Sequence, residues 1–178
     1  MAGIRAKMDM LGVMVMGLTT AVGGGIIRDI LIDVVPPVAL QRPVYAVTAI
    51  IVSLIVFIPK VRCKINTGAF VINLIDAIGL GLYTVVGVKA GASYDNPFLQ
   101  LFIGTVTGVG GGVLRDLFAM EKPMIFVKHF YAAASIIGAA ICVLIMPYNE
   151  NVAMVTGATV IAILRIMAAK RKWDLPRA

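Results

Sequence analysis

Thr20-Ala-Val-Gly-Gly-Gly-Ile-Ile-Arg28-Asp29-Ile30 decides how this chain is read, because it returns as Thr107-Gly-Val-Gly-Gly-Gly-Val-Leu-Arg115-Asp116-Leu117. Gly23 and Gly110 lie 87 residues apart. Each copy closes an uncharged run, Met10 to Ile27 in the first and Pro97 to Leu114 in the second. Three glycines and an Arg-Asp pair at the end of an apolar stretch, repeated in register, point to an internal repeat and to a site that needs both halves.

The surrounding composition sets the solvent. The chain has 178 residues, of which 60% are hydrophobic and 14% charged, and its mean hydropathy is +0.97. A soluble domain carries about 25% charged residues. Here the charges cluster between apolar stretches, several of them near the ~20 helical residues that cross a hydrocarbon core. The sequence therefore reads as an all-α polytopic membrane protein. A net charge of +7 would suggest nucleic acid in a soluble protein. In this chain the basic residues fall in short connections, where membrane orientation requires them, so no nucleic-acid partner is expected. Cys63 lies in a basic loop and Cys142 inside a span, which gives no disulfide framework. Met1 to Met10 carries Arg5, Lys7 and Asp9 and is no signal peptide.

Six spans follow. Span one runs from Met10 to Ile32 and ends before Asp33 and the Pro36-Pro37 pair, since proline cannot continue a helix. Span two runs from Val44 to Ile58 and is stopped by Pro59; a basic loop with Lys60, Arg62 and Lys64 comes next. Span three runs from Ile65 to Val88 and contains one acid, Asp76; Lys89 to Asn96 reads as a polar turn. Asn96 before Pro97 is a helix start, opening span four, Pro97 to Ala119. Span five is Phe130 to Met146 and span six Val152 to Ala169. Arg165 is read as reaching headgroups, and Lys170-Arg171-Lys172-Trp173 as an interfacial anchor. Arg5, Lys7, Lys60, Arg62, Lys64, Lys122, Lys128, Lys170, Arg171, Lys172 and Arg177 then share one side, against Arg42 and Lys89 on the other. That bias predicts a cytoplasmic C-terminus in a cell (inner) membrane.

With this topology the two glycine motifs run in opposite directions, as inverted repeats do. Pro36 matches Pro123 at the same offset, and Tyr45 and Tyr131 each open the following span. The expected units are 1–59, 60–147, and a final helix with a basic tail, 148–178. Span three has no upstream partner, so the first helix of repeat one is expected to be missing before Met1, by truncation or a misplaced start, unless the protein is shortened.

Each interior glycine costs ~1 kcal/mol relative to alanine, so each triplet is expected to kink or unwind beside a cavity. Freed backbone in lipid must face protein or water. Arg28 should lie over Gly24 and Gly25, and Arg115 over Gly111 and Gly112. Neighbouring positions on a helix do not face each other, so Arg28 and Asp29 are expected to pair elsewhere: with the other repeat, Asp76 or a lipid phosphate. The competing reading is close helix packing with the charges as a clamp. Asp76 could equally be a hydrogen-bonded core acid. Thr19, Thr20, Thr105 and Thr107 are expected to bond back within their own helices. His129, beside Lys128, reads as an interface residue, and the methionines as lipid-facing filler. No metal cluster, nucleophile–base set or phosphate loop is evident, so neither an enzyme nor a cofactor is expected.

The paired T-x-V-G-G-G-x-x-R-D motifs, with Asp76-Ala-x-Gly79-Leu opening span three, resemble the prokaryotic branch of the trimeric intracellular cation (TRIC) channel family, whose bacterial members are also labelled as a glycine-transporter domain. The resemblance covers essentially the whole chain. It implies two inverted three-helix repeats plus a final helix. It also implies a homotrimer in membrane lipid, with a potassium-conducting pore in each protomer lined by spans one and four. Carried over, Gly23, Gly24, Gly25, Gly110, Gly111 and Gly112 are the pore kinks. Arg28, Asp29, Arg115, Asp116 and Asp76 are the charged pathway or gate. The alternative is a secondary transporter for glycine or a similar small zwitterion, with arginine holding the carboxylate. A non-transporting scaffold is a third reading.

Overall fold

The computed structural model describes residues 2–61, 69–127, 130–171 and 173. Expectations placed on Arg62, Cys63, Lys64, Lys128, His129, Lys172 and Arg177, and on the start of span three, lie outside the described residues. The described elements are helices: α1 (Ala2–Arg5), α2 (Met10–Leu31), α3 (Val38–Gln41), α4 (Pro43–Phe57), α5 (Ala69–Gly91), α6 (Pro97–Phe118), α7 (Met124–Val127), α8 (Tyr131–Ile145) and α9 (Glu150–Arg171), with a 3-10 turn at Ala92–Tyr94.

Helix starts follow local chemistry. Asp9 Oδ1 accepts the Gly12 amide at 2.7 Å to start α2. Asn96 Oδ1 accepts the Leu99 amide at 3.1 Å to start α6. These capping residues are also 87 apart, so the repeat extends back to the caps. In this register α1 stands where the last turn of α5 stands in the second unit. Two ends differ from expectation. α5 runs on through Lys89 to Gly91, because Gly91 packs against Gln100 and Lys89 reaches Glu150. α9 starts at Glu150, capped by Asn149, which accepts the Val152 amide at 3.1 Å. It continues through Lys170 and Arg171, which suit a helix C-terminus.

Four helices (α2, α5 with its 3-10 turn, α6 and α9) are long and apolar enough to cross a membrane. α4 and α8 have 15 residues each, or ~22 Å of helix. Each follows a glycine-motif helix through a four-residue helix, so the shortening obeys the repeat. The second unit supplies the three helices α5, α6 and α8; its inverted counterpart supplies α2 and α4, with only the short α1 in the place of α5, and α9 is the final helix outside them.

α2 and α6 pack together at the centre. α6 also packs on α5 and α8, while α9 closes over α5 and α8. α4 rests on α2 and buries only Ala49 and Ser53. Its other positions, among them Val44, Val47, Ile51 and Ile55, are exposed apolar side chains, as suits a surface solvated by lipid. The seam of α5 on α6 relies on small residues. A side chain at Gly104 would meet the Thr84 carbonyl at 3.0 Å, and one at Gly87 would meet Gly104 Cα at 2.8 Å. Thr84 Oγ1 and Ser135 Oγ, both buried, share a hydrogen bond of 2.8 Å that ties α5 to α8. Thr84→Val is expected to lower stability by about 1 kcal/mol. A Ser135→Ala background should absorb most of that loss in detergent-titration unfolding. Full additivity of the two would show that the bond contributes nothing.

Candidate functional site

The two motifs build the same local structure twice. α2 ends with Asp33 in the left-handed region (φ 57°), and α6 with Met120 (φ 56°). The Val34 amide donates to the Asp29 carbonyl at 2.8 Å and the Asp33 amide to the Ile30 carbonyl at 3.3 Å. Glu121 to Asp116 at 2.9 Å and Met120 to Leu117 at 3.0 Å repeat the pattern. This double closure uses up the last carbonyls of each helix and turns the chain back across its own end.

The aspartate side chains exploit that reversal. Asp29 Oδ2 accepts the Val38 amide at 2.8 Å, and Asp116 Oδ2 accepts the Met124 amide at 2.8 Å. The other carboxylate oxygen takes the neighbouring guanidinium. Arg28 Nε lies 2.8 Å and Nη2 2.7 Å from Asp29 Oδ1, and Arg115 Nε lies 2.8 Å from Asp116 Oδ1. The expectation that adjacent Arg and Asp could not pair is therefore corrected. The helix ends one turn later and the arginine stem is long enough to curl round the ~100° between neighbouring positions. Both aspartates are buried, at 2% and 3% exposure. The arginine side chains are largely buried, at 13% and 18% exposure, and both are paired.

The glycines act mainly through contact. α2 and α6 are α-helical without interruption through both triplets, so the expected unwinding is not found. A side chain at Gly24 would run into the Thr107 carbonyl oxygen, and one at Gly111 into the Thr20 carbonyl oxygen. A side chain at Gly110 would lie 3.2 Å from Gly24 Cα. The helices cross with backbone against backbone, and the exchange of Thr20–Gly111 for Thr107–Gly24 is the local two-fold of the inverted repeat. A side chain at Gly23 would meet chiefly the flexible end of Leu114, with Gly111 Cα at 3.9 Å. The third glycines face elsewhere. A side chain at Gly25 would find nothing within 4 Å, whereas one at Gly112 would look at Tyr131 Oη (3.3 Å) and Arg115 Nη2 (3.8 Å). Thr19, Thr20, Thr105 and Thr107 each bond back to the carbonyl four residues earlier, as the sequence reading expected.

Around Arg115 the second unit is richer. Asp76 on α5 places Oδ1 3.5 Å from Arg115 Nη1 and 3.4 Å from Tyr131 Oη, and Oδ2 3.2 Å from Arg165 Nη2. Asp76 is thus an expected partner of Arg115, in addition to Asp116. Arg165 was expected at the headgroups. It is instead 3% exposed, with its guanidinium 4.4 Å above the Tyr131 ring. Sequence reasoning missed Arg165 and Tyr131 as site residues. The signal was available for Arg165: it precedes the basic tail by more than one turn, and a charge at that depth is functional by default. Among the described residues no cluster suits a metal ion, and Cys142 is a buried free thiol.

The family model described as glycine transporter matches residues 1–60 and 73–147. The chain is 34% identical to the Escherichia coli K12 protein called UPF0126 inner membrane protein YadS, over 97% of this chain and 84% of that protein. It is 33% identical to a Vibrio cholerae UPF0126 membrane protein, over 97% of this chain and 73% of that one. Among solved structures, one described as the structural basis for conductance through TRIC cation channels superposes with a TM-score of 0.91 at 37% identity. It covers 99% of this chain and 87% of that chain. The TRIC orthologue from Rhodobacter sphaeroides superposes with a TM-score of 0.85 at 27% identity, over 97% and 89%.

Proposed function

This chain belongs to the prokaryotic TRIC channel family, whose sequence model is described as glycine transporter, and from that premise we propose that it is a channel for monovalent cations, potassium foremost. The observation that carries the reading is the local two-fold at Gly24 and Gly111, with a buried Arg-Asp pair at the end of each crossing helix. Inverted repeats that meet mid-membrane are a recurrent way of building a transport route.

The route runs past the third glycines, Gly25 and Gly112, where no second backbone closes the space. Arg28 and Arg115 flank it at the ends of α2 and α6. The backbone contact at Gly24 and Gly111 is the closed position of the crossing, and its loosening admits ions. An unpaired guanidinium would repel potassium, but Asp29, Asp116 and Asp76 neutralise the two arginines and leave a path that cations can use. A protomer carries its own route, and three protomers assemble in the cell membrane with the C-terminus cytoplasmic, as the positive charge bias favours.

The test is the purified protein in a planar bilayer under a KCl gradient. Unitary currents reversing toward the potassium equilibrium potential are expected. Silent bilayers, together with saturable ion-coupled uptake of labelled glycine into proteoliposomes, would replace the channel by a transporter.

A further inference from the structure

We propose that Arg165, on the final helix and outside both repeats, sets the electrostatic bias of the half of the pathway that holds Asp76 and Arg115, and so tunes its preference for cations over anions. The inference rests on the channel reading and adds a residue that the repeat motif does not contain.

Among the described residues, the two halves differ in their charged groups. The α2 half holds Arg28 and Asp29, one charge of each sign. The α6 half holds the equivalent Arg115–Asp116 pair and then a second pair, Asp76 from α5 and Arg165 from α9. Asp76 divides its oxygens between the arginines, Oδ1 toward Arg115 and Oδ2 toward Arg165. The Arg165 side chain is 4% exposed, against 17% for Asp76 and 18% for Arg115. An ion in the pathway therefore meets Asp76 and Arg115, while Arg165 acts from behind Asp76. It is a positioning residue whose charge is felt through the acid it holds.

Its placement is built into the packing. A side chain at Gly81 would lie 2.7 Å from the Ala158 carbonyl oxygen, so α9 is locked to α5 backbone to backbone. Arg165 lies about two turns beyond that contact, beside Asp76. The Tyr131 ring supports the other face of the guanidinium at 4.4 Å. Among the described residues, the four charges of this half sum to zero with Arg165 present. Without it the half carries a net negative charge beside the route, which concentrates cations. Without Asp76 it carries a net positive charge, which excludes them.

A purely mechanical clamp makes a different forecast, because breaking it from either side would disturb the channel in the same direction. The experiment is the reversal potential of reconstituted full-length protein under a KCl gradient, read as the potassium-to-chloride permeability ratio. Arg165→Gln is expected to raise the ratio and Asp76→Asn to lower it, each by roughly two- to tenfold for one partly screened charge. The double variant should return toward the wild-type ratio, as should Arg165→Lys, which keeps the charge. Shifts of the same sign in both single variants, or no shift, would overturn the proposal while leaving the channel intact. Should Arg165→Gln fail to fold, the double variant against Asp76→Asn alone decides: a ratio no higher in the double overturns it. A wild-type protein that passes no current removes the channel reading and this inference with it.

Discussion

Gly111→Ala is expected to separate α2 from α6 and to destabilise the protein by about 1–3 kcal/mol, the range for forcing a methyl into a filled interior. The added carbon would meet the Thr20 carbonyl oxygen, which belongs to helix backbone and cannot rotate away. Gly24→Ala should behave alike, because the local two-fold puts the Thr107 carbonyl in the same place. The two effects should fall short of additive, since either methyl alone already parts the helices. Gly25→Ala is the control. Its new methyl would find open space, and alanine is the better helix former, so stability should hold or rise. The measurement is the fraction folded across a denaturing-detergent titration. Equal loss at Gly25 and Gly111 would mean that the triplets act through backbone flexibility and not through the contact at the crossing. In bilayers, Gly111→Ala should also raise the open fraction if the crossing is the closed position.

That control exposes what the sequence could and could not disclose. The repeat, its spacing, the Asn96 cap and most of the helix ends were legible because they depend on residues within a few positions of one another. Asn96-Pro97 starts α6 by local geometry, and Pro36-Pro37 follows the end of α2 for the same reason. The behaviour of the four threonines was legible on that ground too. The role of the glycines was not, since three glycines read equally well as a weak point or as a contact surface. Only the position of the partner carbonyl decides between them. Arg165 was misread because its partner lies 89 residues away. In water, an amphipathic stripe would have indicated which face of α9 is buried. In lipid both faces are apolar, so periodicity does not mark the inner one, and Ile163 at 50% exposure sits two residues from buried Arg165 on the same helix. The adjacent Arg-Asp pairing was hidden by a rule true of helix interiors that lapses where the helix stops.

The same reasoning ranks the two buried acids of the repeat. Asp29→Asn keeps an oxygen for the Val38 amide but removes the negative charge from Arg28, whose only ion pair among the described residues is with Asp29. A charge stranded in that way costs about 3–5 kcal/mol, and Asp29→Asn should be among the most damaging single substitutions in the chain. Asp116→Asn makes the identical local change in the second unit, yet Arg115 retains Asp76 at 3.5 Å. Its loss should therefore be smaller, despite the matching sequence and the matching loop. Adding Asp76→Asn to Asp116→Asn withdraws that reserve and should cost more than the two single losses combined, because only then is Arg115 stranded. Denaturing-detergent titrations of the four proteins give the order directly. If Asp116→Asn proves as damaging as Asp29→Asn, the second acid does not stabilise Arg115, and the asymmetry between the halves is geometric without being energetic.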